Sequence, residues 1–252
     1  MIPRRMLTAL LAAPALAQAA PLQILGTGAT EAPVEELGHE FTRATGRVVV
    51  TATGNGGQVA ARIRAGATPD VVLNAGPAID ALIRDGFASA ASRREMGRMR
   101  LGIAVRAGLD TPDLATEAGL AAFLRAASSI GISDAATGAT SGQHVLALLE
   151  RLGVTPEAAG GPRREAFARG IGAVRAVAQG DVFCVITQIS EIVAVPEARL
   201  VAPLPEALQL VTPYVAAIPT RAPDPAAAAR FLELAAGPVG QALFRAVGFA
   251  VG

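Results

Sequence analysis

The chain has 252 residues, 52% of them hydrophobic, 17% charged and 4% aromatic, with a formal net charge of +1. That much apolar material fills a sizeable core and excludes a disordered chain, and the length suits one large domain or two modest lobes. Every basic residue is arginine and no basic block stands out; with one Tyr and no Trp, little is left to stack on bases, which excludes nucleic acid as the expected partner.

Residues 1–20 read as a secretory signal. Arg4 and Arg5 form a positive start, Met6–Ala17 is apolar, and Ala17-Gln18-Ala19 offers a small-x-small cleavage site. A membrane-spanning helix needs about 20 apolar residues, more than this run supplies. The expectation is an exported protein, periplasmic where the host has two membranes.

From Leu22 onward, short apolar runs alternate with helical periodicity. Leu22–Leu25 is a strand, Glu31–Thr42 a helix with Val34, Leu37 and Phe41 on one face, and Val48–Thr53 a second strand. A helix carrying Val59 and Ile63 stops at Gly66; Val71–Asn74 is a third strand, and Ile79, Leu82 and Ile83 line the helix after it. Leu101–Arg106 reads as a strand, followed by a helix around Leu120–Leu124, the strand Ile130–Ser133, and a helix with Val145, Leu148, Leu149 and Leu152. The spacing predicts one further helix over Arg163–Gln179, the strand Val182–Ile186, an extended return over Val201–Ile218, and two alanine-rich helices split by Gly237-Pro238. This rhythm means an α/β fold with mainly parallel sheets.

One arrangement recurs: a strand ends in small polar residues and a helix begins at once. It occurs at Thr27-Gly28-Ala29-Thr30, Asn55-Gly56-Gly57-Gln58, Thr137–Gln143 (with Thr140, Ser141 and Gly142) and Thr187–Ser190. Strand ends in a parallel sheet share the edge where ligands bind, and free helix N–H groups favour a small anion. Ordinary N-caps and turns have the same composition. Gly26-Thr27-Gly28 lacks the third glycine of a dinucleotide fingerprint, because Glu31 stands there. His144 follows Ser141-Gly142 and is a candidate ligand contact, whereas His39 lies among Glu35, Glu36 and Glu40 on a charged face. Cys184, inside Val182–Ile186, reads as a buried small hydrophobe, and a lone cysteine excludes an internal disulfide or Cys-based zinc cluster. No metal or cofactor is expected.

The segments Val34-Glu35-Glu36-Leu37…Phe41…Ala44-Thr45-Gly46, Ala61-Arg62-Ile63…Pro69-Asp70-Val71, Leu149–Gly153, Ala178–Asp181, Ala228–Leu232, Gly240–Ala242 and Gly248-Phe249 carry a resemblance. In this order and spacing they resemble the periplasmic molybdate-binding protein family, solute-binding subunits of ABC importers. The resemblance implies a two-lobed, type II-like periplasmic binding protein fold, each lobe a mainly parallel sheet flanked by helices. Residues 21–100 plus 206–252 would form lobe 1 and 101–205 lobe 2, closing on a small anion and delivering it, as a monomer, to importer membrane subunits. Where the family supplies hydroxyls to molybdate, this chain has Ala29, Gly56 and Gln188, and its loop 137–142 is one residue longer. A site that leaves polar groups unpaired rejects a ligand strongly, so a different and larger anion, such as an organic acid, is expected.

The same branch is similar to aconitate isomerase, which makes an enzyme the alternative, with His144 or Glu191 as general base. A tricarboxylate calls for arginine forks. The candidate loops contain none, and Arg62 and Arg64 lie past the first helical turn on diverging faces. That shortage favours binding over catalysis.

Overall fold

A computed structural model describes residues 19–252. Most of the predicted signal, residues 1–18, lies outside the described residues. Two five-stranded sheets make up the architecture. The first is built from β1 (Leu22–Thr27), β2 (Val49–Gly54), β3 (Val71–Ala75), β4 (Arg94–Met99) and β10 (Thr212–Ala217), in the order β2-β1-β3-β10-β4. The second uses β5 (Leu101–Arg106), β6 (Ser129–Ser133), β7 (Arg163–Phe167), β8 (Cys184–Gln188) and β9 (Ala198–Pro203), in the order β7-β6-β8-β5-β9.

Helices cover both faces of each sheet. Around the first lie α1 (Glu31–Thr45), α2 (Gly56–Arg64), α3 (Gly76–Arg84), α8 (Pro225–Ala236) and α9 (Pro238–Ala246); around the second lie α4 (Glu117–Ala126), α5 (Thr140–Arg151), α6 (Gly170–Gln179) and the short α7 (Ile189–Val193). The apolar strand runs are continuous because side chains alternate between two dry faces. Val71 and Leu73 pack with α1 and α8 through Leu37, Phe41 and Phe231, while Val72 points to Val59, Ile63 and Ile79 on α2 and α3. In the second sheet, Cys184 and Ile186 face Leu120, Leu124 and Val145, while Val185 faces Val174, Val177 and Ile192. Phe41 and Phe231 meet edge-on at 5.6 Å, and full burial of a side chain like Phe231 contributes about 2–3 kcal/mol. Burial of Cys184 pushes its thiol up to about 12, as expected of an inert small hydrophobe.

The parallel order expected from the sequence holds for β2-β1-β3 and for β7-β6-β8. The strands next to the crossings run antiparallel, β10 against β3 and β4, β5 against β8 and β9, so each sheet is mixed. The chain passes from the first sheet to the second through Arg100, between β4 and β5, and returns between β9 and β10. Gln209 ties the two crossings together: its Oε1 accepts from Leu101 N–H at 2.7 Å, and its Nε2 donates to the Leu101 and Leu204 carbonyls at 3.1 Å.

Two strands escaped the periodicity. β4 reads Arg-Glu-Met-Gly-Arg-Met and buries little besides Met96 and Met99. β7, Arg-Arg-Glu-Ala-Phe, is an edge strand with no buried residue, so its charged outer face carried no alternating signal. The predicted helix over Arg163–Gln179 is therefore β7, a short loop and α6.

Candidate functional site

The helix N-termini of both lobes converge on one cleft, and the lobes touch across it. Gly57 N–H donates to the Gly138 carbonyl at 3.1 Å. This approach requires glycine: a Cβ on Gly57 would strike the Thr137 carbonyl oxygen and lie 2.8 Å from Gly138 Cα. Gly138 itself has φ +81°, which places it in the left-handed region. Asn55 Nδ2 donates to Thr137 Oγ1 across the same seam. Arg169, just before α6, places Nη1 at 3.1 Å from both Glu31 carboxylate oxygens and 2.6 Å from Thr53 Oγ1. The clamshell is closed.

Between the lobes lies a cavity of about 40 Å³. The first sheet contributes Thr27, Gly28 and Ala29 at the end of β1, Asn55 and Gly56 at the start of α2, Asn74 and Ala75 at the end of β3, and Tyr214 from β10. The second contributes Ser133, Thr140, Ser141, Arg169, Gly170, Gln188 and Glu191. A second cavity of about 240 Å³, whose wall includes Glu31, Arg175 and Ser190, meets the first at Gly28 and Glu191.

Of the expected contacts, Thr27, Gly28, Ala29, Asn55, Gly56, Thr140, Ser141 and Gln188 are on the cavity wall. The others serve the frame around it. Thr30 is fully buried and donates to the Thr27 carbonyl at 3.0 Å. Gln58 completes a capping box with Asn55: Asn55 Oδ1 accepts from Gln58 N–H at 3.0 Å, and Gln58 Oε1 accepts from Asn55 N–H at 3.1 Å. Gly57 belongs to the interlobe seam. Gly142 lets α5 approach β6, where a Cβ would collide with the Ser133 carbonyl. Thr187 stands behind the wall and donates to Glu191 Oε2 at 2.6 Å. His144 also lies off the cavity wall. Its side chain turns from the cleft, and Nε2 sits 2.8 Å from the Leu208 carbonyl on the return crossing. With Nε2 on the Leu208 carbonyl, it is not placed to act as a base in the cavity.

Sequence reasoning missed Ser133, Asn74, Tyr214 and, above all, Arg169. The shortage of arginine expected at the cleft is overturned by Arg169, which stands on the wall because β7 ends at Phe167 and α6 starts at Gly170. Reading that stretch as one helix hid the loop. Arg62 and Arg64, expected past the first helical turn on diverging faces, are both exposed and off the cavity wall, Arg64 pairing with Asp85 at 2.8 Å.

Gln188 Oε1, buried on the wall, has no hydrogen-bond partner among the described residues. Buried polar atoms are rarely left so, and a ligand is the natural partner for orphans that line a cavity. Burial pushes the Glu191 carboxyl above its usual range; the Thr187 hydroxyl and the Ile171 N–H oppose that shift, Glu31 reinforces it and Arg169 opposes it. Burial, followed by the nearby Glu191 charge, raises the Tyr214 phenol as well.

The family model described as bacterial extracellular solute-binding protein matches residues 22–250. The chain belongs to that family. Among solved structures, this solute-binding chain is similar to the periplasmic molybdate-binding protein of Azotobacter vinelandii, with TM-score 0.74 and 23% identity, over 92% of this chain and 99% of that one. It also shares its fold with the periplasmic binding protein AgtB of Agrobacterium tumefaciens in complex with agropinic acid, with TM-score 0.65 and 17% identity, over 90% and 81% of the two chains. A relative by sequence is an aconitate isomerase from a Pseudomonas species, 28% identical over 217 residues, spanning 84% of this chain and 80% of the relative. The two-lobed solute-binding fold expected from the sequence is therefore the fold observed. Among the described residues no helix is long and apolar enough to cross a membrane.

Proposed function

We propose that this solute-binding protein captures a small organic acid in the interlobe cleft, in the periplasm, and presents it to the membrane subunits of an ABC importer. The observation that carries this reading is the pairing, on one cavity wall, of the Arg169 guanidinium with the orphan acceptor Gln188 Oε1. Arginine suits a carboxylate through paired donors. A fully ionised oxyanion only accepts hydrogen bonds and leaves Gln188 Oε1 unpaired, whereas an acid that also bears a hydroxyl or a protonated carboxyl satisfies both. Thr27, Thr140 and Ser141 add neutral hydroxyls, and Ala29 and Gly56 add none where the molybdate-binding relatives are expected to supply them.

A thermal-shift panel tests this. Malate, citrate and both aconitate isomers are set against molybdate, tungstate, sulfate and phosphate. A ligand at 100 times its Kd stabilises by about 2.7 kcal/mol, a shift of roughly 5–10 °C for a chain of this size. Shifts confined to molybdate and tungstate would refute the organic-acid reading.

A second reading has its own support. Glu191 and Tyr214 share the cavity wall, and the aconitate isomerase relative covers most of the chain. In an allylic shift, the Glu191 carboxylate would take a proton from the substrate CH₂ and return it at the other end of the allyl unit, while Arg169 holds a carboxylate. Incubation with trans-aconitate, followed by chromatography for the cis isomer, decides between this reading and binding alone.

A further inference from the structure

A carboxyl group is an unexpected wall for a cleft that holds anions, and Glu191 is such a wall. It stands on α7, 5% exposed, with Oε2 accepting from Thr187 Oγ1 at 2.6 Å and Oε1 from Ile171 N–H at 3.3 Å. Among the described residues it forms no ion pair, because the nearby Arg169 pairs with Glu31. The backbone of both lobes closes around it. A Cβ on Gly28 would lie 2.6 Å from Oε1, and one on Gly170 would collide with Oε2. These two glycines leave room for a carboxyl and little else.

Charges facing Glu191 come from every side. Arg169 precedes α6 and Arg175 lies on it; Glu31 and Glu35 lie on α1, and Tyr214 presents a neutral phenol from β10. Of these charges, Glu31 acts on the Glu191 carboxyl more strongly than the opposing Arg169. An anion entering this small cavity would therefore leave two like charges, its own and that of Glu191, in a site where water screens poorly.

We propose that Glu191 takes up one proton from solvent as the cleft captures a carboxylate, and that this shared proton sets which acids the site accepts. Oε1, the more weakly held oxygen beside Gly28, carries the proton and donates it in a hydrogen bond to the ligand; Oε2 continues to accept from Thr187. The proton leaves again when the ligand does. This inference rests on reading the cleft as an organic-acid site.

Isothermal titration calorimetry of the mature chain tests it, with malate and trans-aconitate as probes. The titrations run above about pH 6.5, where both acids are ionised, each in two buffers of different ionisation enthalpy. The expected result is an enthalpy that differs between buffers by one proton's worth, and a Kd that weakens towards tenfold per pH unit. E191Q is expected to show neither dependence. A wild-type Kd independent of pH and buffer, or a proton uptake that survives in E191Q, overturns the proposal. If neither acid binds the wild type, the organic-acid reading fails and carboxyl ¹³C titration of the free protein decides the proton separately. A glutamate resonance missing from E191Q and titrating above the usual range supports a proton-bearing Glu191; a resonance titrating in the usual range overturns it.

Discussion

The two halves of the cleft are built from opposite materials. On the wall of the smaller cavity the first-sheet half carries no charged group: Thr27, Gly28 and Ala29 at the end of β1, and Asn55 and Gly56 at the start of α2. The second-sheet half brings the ionisable groups, Arg169 ahead of α6 and Glu191 on α7, and adds the hydroxyls of Ser133, Thr140 and Ser141. The first half resembles a general anion cradle of backbone N–H groups, which any compact anion would satisfy. On the proposed reading the second half would carry the discrimination, since a fixed cation, a buried carboxyl and the orphan Gln188 acceptor suit few ligands. On the organic-acid reading proposed above, capture and choice are divided between the lobes, and closure brings them together.

The sharpest way to break that division is to prevent closure while sparing both lobes. In Gly57→Ala the new Cβ strikes the Thr137 backbone, so ligand affinity should fall by at least about 100-fold, with little change in melting temperature of the ligand-free protein. Calorimetry and unfolding curves read the two effects separately. Gly142→Ala introduces a similar clash inside lobe 2, against the Ser133 carbonyl. It should lower stability by about 3 kcal/mol, or roughly 6–12 °C, in differential scanning calorimetry.

Removing the cation comes next. Arg169→Ala takes away both the cleft's guanidinium and its contacts to Glu31 and Thr53, and should weaken acid binding by about 30- to 100-fold. Arg169→Lys should recover only part of this, because a point charge does not reproduce the planar fork. Smaller effects are expected from the neutral groups. Ser141→Ala and Gln188→Ala should each weaken binding about fivefold, the loss of one hydrogen bond, without unfolding the protein.

Stability against pH isolates Glu191 from the ligand altogether. Its folded-state pKa is raised, so the folded protein holds that proton to higher pH than the unfolded chain does. The associated stability is present below the unfolded value and lost as pH rises through the folded one. E191Q should therefore become progressively more stable relative to wild type across that window, by up to about 1.4 kcal/mol per pH unit, in melting curves of the ligand-free proteins. The smallest effect belongs to His144→Ala. It should cost about 1 kcal/mol of stability through the lost bond to the Leu208 carbonyl, and should leave ligand affinity within twofold.

Most of the framework was legible because it follows from local rules. Val71-Val72-Leu73 and Cys184-Val185-Ile186 are dry on both faces and so read as strands without any tertiary knowledge. Asn55-Gly56-Gly57-Gln58 read as a strand end with a helix beginning at once, and α2 starts there at Gly56. Small polar residues between a strand and a helix marked the Thr27–Ala29, Asn55–Gly56, Thr140–Ser141 and Gln188 parts of the cleft. His144 misled because proximity in sequence to such a loop says nothing of the direction its side chain takes.

What the sequence determined by itself is therefore the alternation of strands and helices, the apolar faces that pack them, the neutral loops at the strand ends and, through ordered short segments, the solute-binding family. What tertiary structure alone decided is the charge at the cleft. Arg169 follows an edge strand with no buried residue, and no local periodicity distinguishes it from an arginine on any solvated surface. Its place opposite Glu31, 138 residues away in the chain, comes from the closing of one lobe on the other. Glu191 likewise lies in a short helix and gains its meaning from Gly28 across the cleft and Gly170 beside it. Backbone propensities and hydrophobic periodicity act over a few residues, whereas the field at a site is the sum of groups that only folding brings within reach.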